Sequence, residues 1–268
     1  MRAAIIVEPS NLGFSGATCF LASLSPVHAT FPDAAVSSFD AIFLSYDEPA
    51  AQSNWERVLR RFPFAQRVHG VRGLNEAHRE CARRARTERF YLIDGDSELL
   101  PEARLDTTRL ELSSPWKAYL WRTRNAVNGL ISGFGGVKLI GREPLSHLTC
   151  ELDLTVGAAK FVAVQETASI ARFNQSPLHA WRGAFRECAR LAGGILRSHG
   201  DAERSRRLQL WTTVGAEAKF GDWCLRGARQ GVEFGRRHHG EPRELALLND
   251  YDALAEMFEA TFELHCDA

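Results

Sequence analysis

The sequence predicts an α/β fold: a mixed sheet flanked by helices, continued by a helical C-terminal region. Three observations carry this. Between residues 40 and 96, short apolar runs alternate with stretches of helical period. Alternating and glycine-broken stretches then run to about residue 173, and after Pro177 the period is helical. Strand, helix, strand, helix, strand at the first spacing means parallel strands joined by right-handed crossovers, with their carboxyl ends on one edge.

In order, residues 3–7 read as a strand, and the Gly/Ser/Ala/Pro-rich passage to residue 38 carries no pattern. Asp40-Ala41-Ile42-Phe43-Leu44-Ser45-Tyr46 is an apolar run that Asp47-Glu48-Pro49 breaks. Trp55, Val58, Leu59 and Phe62 stand at helical spacing, and Pro63 ends that helix. Residues 67–71 form a short strand and Gly73 a turn; residues 74–86 form a helix with its small and apolar positions on one side. Phe90-Tyr91-Leu92-Ile93 has no polar alternation, so it is a strand covered on both faces, and it stops at Asp94-Gly95-Asp96. Residues 116–122 alternate as a strand, Asn128-Gly129 suits a tight turn, and residues 133–140 lead through glycines into another strand. Residues 161–164 and 169–173 read as extended. Trp181, Phe185, Cys188, Ala189, Leu191 and Ala192 form one helical stripe, and further helices are expected over 202–211, 221–234 and 250–264. Asn249-Asp250 supplies N-cap chemistry for the last. A catalytic region over 1–176 and a helical region over 177–268 follow from this division.

The totals are compatible with one large domain or a domain with an appendage: 268 residues, 45% hydrophobic and 25% charged, with zero net charge. No apolar stretch is long enough to span a membrane, and the short apolar start does not suit a signal peptide, so a cytoplasmic location is expected. The six cysteines are scattered without a Cys-x-x-Cys pair, which suits buried thiols better than a zinc site or a disulfide framework. Charge is uneven: residues 172–237 hold twelve Arg and one Lys against six acids, and residues 55–89 ten Arg against four acids. Such segments are either solvated helix faces or basic surfaces facing a polyanion.

Two carboxylates at the carboxyl end of a buried parallel strand stand where open α/β sheets bind ligands. Asp94 and Asp96 can hold Mn²⁺ or Mg²⁺ through oxygen, and the cation can hold a diphosphate. The stretch Gly73-Leu74-Asn75-Glu76-Ala77-His78-Arg79, with Phe90 to Asp96 after it, resembles the nucleotide-sugar half of GT-A glycosyltransferases, particularly the family-2-like ones. That group carries Gly-x-x-x-Ala-Arg-Asn before an apolar strand ending in Asp-x-Asp; here His78 and Arg79 stand in place of Arg and Asn. Ser45-Tyr46-Asp47-Glu48-Pro49 resembles the group's first nucleotide-binding loop. Beyond residue 96, Trp121-Arg122-x-Arg124-Asn125, Gly135-Gly136-Val137-Lys138 and Trp181-Arg182 to Cys188 are similar to phage-type glycosyltransferases acting on hydroxymethylated pyrimidines in DNA.

The resemblance implies a GT-A-like (Rossmann-like) fold and a metal-dependent transfer from a nucleotide sugar, a UDP-sugar foremost, to a hydroxyl. The preferred acceptor is a 5-hydroxymethylpyrimidine, such as hydroxymethylcytosine, in phage DNA. Ser45, Tyr46, Glu48, Arg72, His78, Asp94 and Lys138 are expected at the donor, and Asp94, Asp96 and His179 at the metal. Glu166 or Asp153 is the expected base, with Glu151 a further choice; a retaining transferase would need none. Arg122, Arg124, Trp181, Arg182 and Arg186 are the expected DNA contacts. Other readings stay open. The acceptor could be a surface glycan, lipid or protein, the reaction could be nucleotidyl transfer, or the chain could be a non-catalytic nucleic-acid-binding protein.

Overall fold

The computed structural model describes residues 38–132, 136–149, 152–154, 159–196 and 200–262. The expected strand at 3–7, Glu151 and Gly133 to Gly135 lie outside them. Phe31–Ala268 is one compact unit.

The α/β fold is observed. β1 (Asp40–Ser45), α1 (Ala51–Arg61), β2 (Gln66–His69), α2 (Leu74–Arg84) and β3 (Arg89–Asp94) form the expected βαβαβ run. β1 lies between β2 and β3 and is parallel to both. β4 (Ser97–Leu99), β5 (Lys117–Asn125), β6 (Ile131–Ser132), β7 (Val137–Gly141) and β8 (Lys160–Ala171) complete a mixed sheet of order β2-β1-β3-β7-β5-β8-β4, with β6 paired to β5. β7 runs antiparallel to β3, so its first residues come back beside the carboxyl end of β3. The two extended pieces expected at 161–164 and 169–173 are one strand, β8, whose pairing with β5 shifts register around Arg122.

Period-two alternation sends β1 and β3 side chains into two cores. Phe43, Tyr91 and Ile93 pack with Val58 of α1 on one face. Ile42, Phe90 and Leu92 pack with Cys81 and Ala82 of α2 on the other, with Leu145 of the short α3 (Arg142–Ser146). Coverage of both faces is why Phe90 to Ile93 has no polar residue.

The C-terminal region comprises α4 (Pro177–Ala192), α5 (Asp201–Thr213), α6 (Gly221–Arg237), α7 (Pro242–Ala246), a 3₁₀ turn (Leu247–Asn249) and α8 (Tyr251–Phe262). α4 starts with Ser176 as N-cap, its hydroxyl accepting the His179 amide, and Pro177 in the first turn. α6 lies against α4 through Gly227, Gly231 and Gly235, whose Cα atoms meet the backbone carbonyls of Trp181, Phe185 and Ala189. Trp181 and Phe185 pack against Leu254 and Phe258, which fixes α8 on α4. Among the described residues no helix is long and apolar enough to cross a membrane.

Candidate functional site

A cleft of about 1250 Å³ opens at the carboxyl ends of β1 and β3. Its floor is Ser45, Tyr46 and Glu48 after β1, Asp94 to Asp96 after β3, and Lys138 of β7. One wall is Arg72 and the first turns of α2, including Asn75, His78 and Arg79. The opposite wall is Asp153 and Leu154, Arg186 and Arg190 of α4, and Asn249 to Ala253. The expected convergence of the β1 and β3 loops is therefore present; His69 points elsewhere, exposed and bonded through Nδ1 to the Ser45 hydroxyl at 3.0 Å.

Two glycines let the floor close up. A Cβ on Gly95 would stand 2.5 Å from Glu48 Oε2 and 2.9 Å from Ser45 Cβ. A Cβ on Gly136 would overlap the Ser97 hydroxyl, and its carbonyl accepts the Asp94 amide at 2.8 Å. Asn54 of α1, buried, anchors the acidic turn from below by donating to the Gly95 carbonyl at 2.9 Å.

The electrostatics of the floor are tight. Lys138 Nζ donates to both oxygens of Asp94, at 2.7 and 2.6 Å, and its side chain is only 9% exposed. Burial, with the charges of Asp94 and Glu48, pushes the Asp96 carboxyl up to about 7. The Ser97 hydroxyl donates to its Oδ1 at a long 3.4 Å. Glu48 is also raised, by burial and then by Asp47 and Asp94, although the Tyr46 amide donates to it at 2.8 Å. Burial lowers His78, which stays neutral; its Nδ1–H donates to the Leu74 carbonyl at 2.7 Å and Nε2 is left as the acceptor. Asn75 Oδ1 and Arg190 Nε are buried without a partner. Unsatisfied polar atoms in a cleft wall are what a ligand satisfies.

Of the expected donor-side residues, all seven line the cleft. Asp153 lines it too, with its carboxylate 3.5 Å from Arg190. Glu166 does not: it sits on β8, where it accepts the Arg104 amide at 2.6 Å, and β7 and β5 stand between that strand and β3. Arg122 and Arg124 lie on β5 outside the cleft, Arg122 half-buried and Arg124 exposed.

The α4 residues expected at DNA are engaged within the fold. Trp181 is buried at 1% exposure and stacks on Phe185. Arg182 is buried and forms a two-pronged pair with Asp47, at 2.7 and 2.6 Å. Arg186 donates to the Leu248 carbonyl at 2.5 Å and to Asn249 Oδ1 at 3.0 Å, and Arg190 reaches Asn249 at 2.9 Å. Burial lowers Arg186 to about 10, so it remains a cation. Arginines at 182, 186 and 190 share one helix face, and that face docks the segment before α8. Tyr251 lies under both Arg182 and Arg186, with guanidinium carbons 4.2 and 4.6 Å from its ring centre. Asp252 then reaches Arg72 at 2.5 Å and Tyr46 Oη at 3.4 Å across the cleft mouth. The sequence analysis missed this wall. Asn249-Asp250 reads only as a helix start, and no local signal says that it folds back over a strand end two hundred residues away.

No protein-family model, curated protein or solved structure matches the chain. The site therefore stands on its own chemistry.

The cation ligands expected from the resemblance fit poorly. Both Asp94 oxygens already hold Lys138. His179 Nε2 donates to the Asp47 carbonyl at 3.0 Å and Nδ1 meets the Ser176 hydroxyl at 2.7 Å, so its ring serves the α4 start and not the cleft. Among the described residues no group of three His, Cys, Asp or Glu is arranged to hold a metal ion. The described cysteines are equally unavailable, since burial pushes the thiols of Cys81 and Cys224 up to about 12.

Proposed function

We propose that the cleft binds a nucleotide sugar and transfers its glycosyl group to a hydroxyl acceptor, in the manner of a GT-A transferase. The observation that carries this reading is the acidic turn Asp94-Gly95-Asp96. It lies at the carboxyl end of a central strand, on the floor of a cleft whose walls present Arg72, Arg79, Lys138, Arg186 and Arg190. Open α/β sheets bind ligands at that edge, and these guanidinium and ammonium donors suit a diphosphate.

The chemistry follows from the groups present. Tyr46 and Tyr251, edge to face with ring centres 5.8 Å apart, give an aromatic end for the nucleoside. The acceptor oxygen attacks the sugar C1, the C1–O bond to the diphosphate breaks, and its electron pair leaves with the diphosphate. The acceptor proton needs a carboxylate poised near neutrality. Asp96, raised to about 7 and facing the cleft, fits that task better than Glu166. The proposed reaction is thus an inverting displacement with Asp96 as base.

For the acceptor we favour a 5-hydroxymethylpyrimidine in DNA. Support comes from the resemblance of the later stretches to phage-type enzymes and from Arg226, Arg229, Arg236 and Arg237, which remain exposed on α6. The test is incubation of the protein with a nucleotide-sugar panel and DNA with or without hydroxymethylated pyrimidines, read by nucleoside mass. A hexose or pentose added only to the hydroxymethylated nucleoside is the expected result. Transfer to a glycan but to none of the DNAs would overturn the acceptor. Pyrophosphate release from nucleoside triphosphates, without cleavage of any nucleotide sugar, would overturn the reaction.

A further inference from the structure

The poor fit of a divalent cation and the placing of Lys138 belong together. Lys138 is buried on β7 opposite Leu92, one strand from the acidic turn, and still lines the cleft. Its ammonium has three donor hydrogens, and Asp94 accepts from it with two oxygens. At least one donor is left for the cleft. Asp94, one of the two acids expected at a metal ion, is thereby committed to a protein cation. Gly136, just before Lys138, is what lets β7 come this close, because any side chain there would collide with Ser97.

We infer that Lys138, held by Asp94, is the cation that meets the donor diphosphate, so that donor binding and transfer proceed without a divalent metal ion. This rests on the nucleotide-sugar reading above. When the C1–O bond breaks, the electron pair passes to a diphosphate oxygen, and the Lys138 ammonium donates a hydrogen bond to the charge that develops there. Asp94 keeps the ammonium in place. Arg186 and Arg190, fixed by Asn249, flank the same space with further positive charge. The remaining acids on the cleft wall are largely matched within the fold: Asp153 by Arg190, Glu187 by Arg207, Asp252 by Arg72 and Glu76 by Arg83.

The experiment is calorimetric titration of nucleoside diphosphates (UDP first, then the others) into the full chain, once with excess EDTA and once with Mn²⁺. The expected result is binding in EDTA with an affinity that Mn²⁺ leaves unchanged. Lys138→Gln should weaken that binding by at least about tenfold, the scale of one charged hydrogen bond. Because that variant leaves Asp94 without its partner and so strains the fold, the double variant Asp94→Asn/Lys138→Gln, which removes both charges, is titrated beside it. Unaltered affinity of the folded double variant in EDTA would overturn the role of Lys138. Binding seen only with Mn²⁺ would overturn the metal-free inference and leave the nucleotide-sugar reading standing. No binding of any nucleoside diphosphate under either condition would overturn both.

Discussion

The Arg182–Asp47 pair ties the helical region to the loop after β1, and its removal is a test of how the site is held. In Arg182→Met the apolar stem is kept and the guanidinium lost. Arg182 is almost wholly buried, with a side chain 6% exposed, whereas Asp47 is 35% exposed and can rehydrate. Breaking a fully buried pair costs about 3–5 kcal/mol; water reaching Asp47 reduces this to roughly 2 kcal/mol. Loss of the cation over Tyr251 adds about 0.5–1 kcal/mol. The expected total at neutral pH is roughly 2–3 kcal/mol, measured as a drop in the urea midpoint at unchanged m-value. Acid discriminates the cause. Burial by itself would raise Asp47, but hydrogen bonds from His179 and Arg182 outweigh it and hold the carboxyl well below its ordinary value of 3.8. A depressed carboxylate stabilises the fold above the unfolded pKa, and that contribution fades as pH falls below about 4. The wild type should therefore lose stability more steeply in acid than the variant, and their difference should narrow. A difference that is the same at neutral and acid pH would refute the electrostatic account and leave only lost packing.

Other outcomes follow from the same geometry. Asp96→Asn should abolish transfer while nucleotide binding persists, and wild-type turnover should rise with pH to a plateau above about 7. The stability sign is opposite: the native state holds a proton on Asp96 that the unfolded chain releases near 3.8, so stability falls between there and about 7. Asp96→Asn should flatten that part of a urea-midpoint profile. Asp252→Asn removes the ion pair with Arg72 but leaves the Asn249 anchors, so faster exchange of the Tyr251 amide is expected with a global stability change below about 1 kcal/mol. Gly231→Ala gains about 1 kcal/mol of helix propensity. Its Cβ would lie 2.9 Å from Phe185 Cα, against backbone that cannot swing aside. Overpacking of about 1–3 kcal/mol should win, and thermal unfolding should come earlier.

The parallel half of the sheet was legible because its signals are local. Phe90 to Ile93 is apolar on both faces, the two helices before it show their period, and right-handed crossovers then fix which ends meet. Asp94, Asp96, Glu48 and Arg72 could be put at one edge by that rule. β4 and α3 escaped notice because three and five residues are too few to show a period. Glu166 was misplaced for a subtler reason: sequence order does not give sheet order, and β8 lies beyond β7 and β5 from the floor strand β3. His179 looked like a distant ligand; its role is settled three residues back by Ser176, whose hydroxyl takes both its amide and its ring nitrogen.

The arginines of α4 carry the larger lesson. Arg182, Arg186 and Arg190, four apart, look like a solvated basic stripe, and a helix read alone supports nothing else. Their partners are Asp47 on one side of the cleft and Asn249, Tyr251 and Asp153 on the other. Buried Arg182 and half-buried Arg186 and Arg190 thus spend hydrogen bonds on assembling the site, which separates the two jobs that one basic surface seemed to do. On the proposed reading, donor charge would be met inside the cleft by Lys138 and the docked arginines. A polyanionic acceptor would on that reading be met by exposed arginines such as those of α6. Neutralising Arg226, Arg229, Arg236 and Arg237 together should therefore weaken DNA association and its salt dependence while nucleoside diphosphate affinity is unchanged, whereas Arg186→Met should do the reverse. Parallel losses of both affinities in either variant would mean that the two surfaces are one.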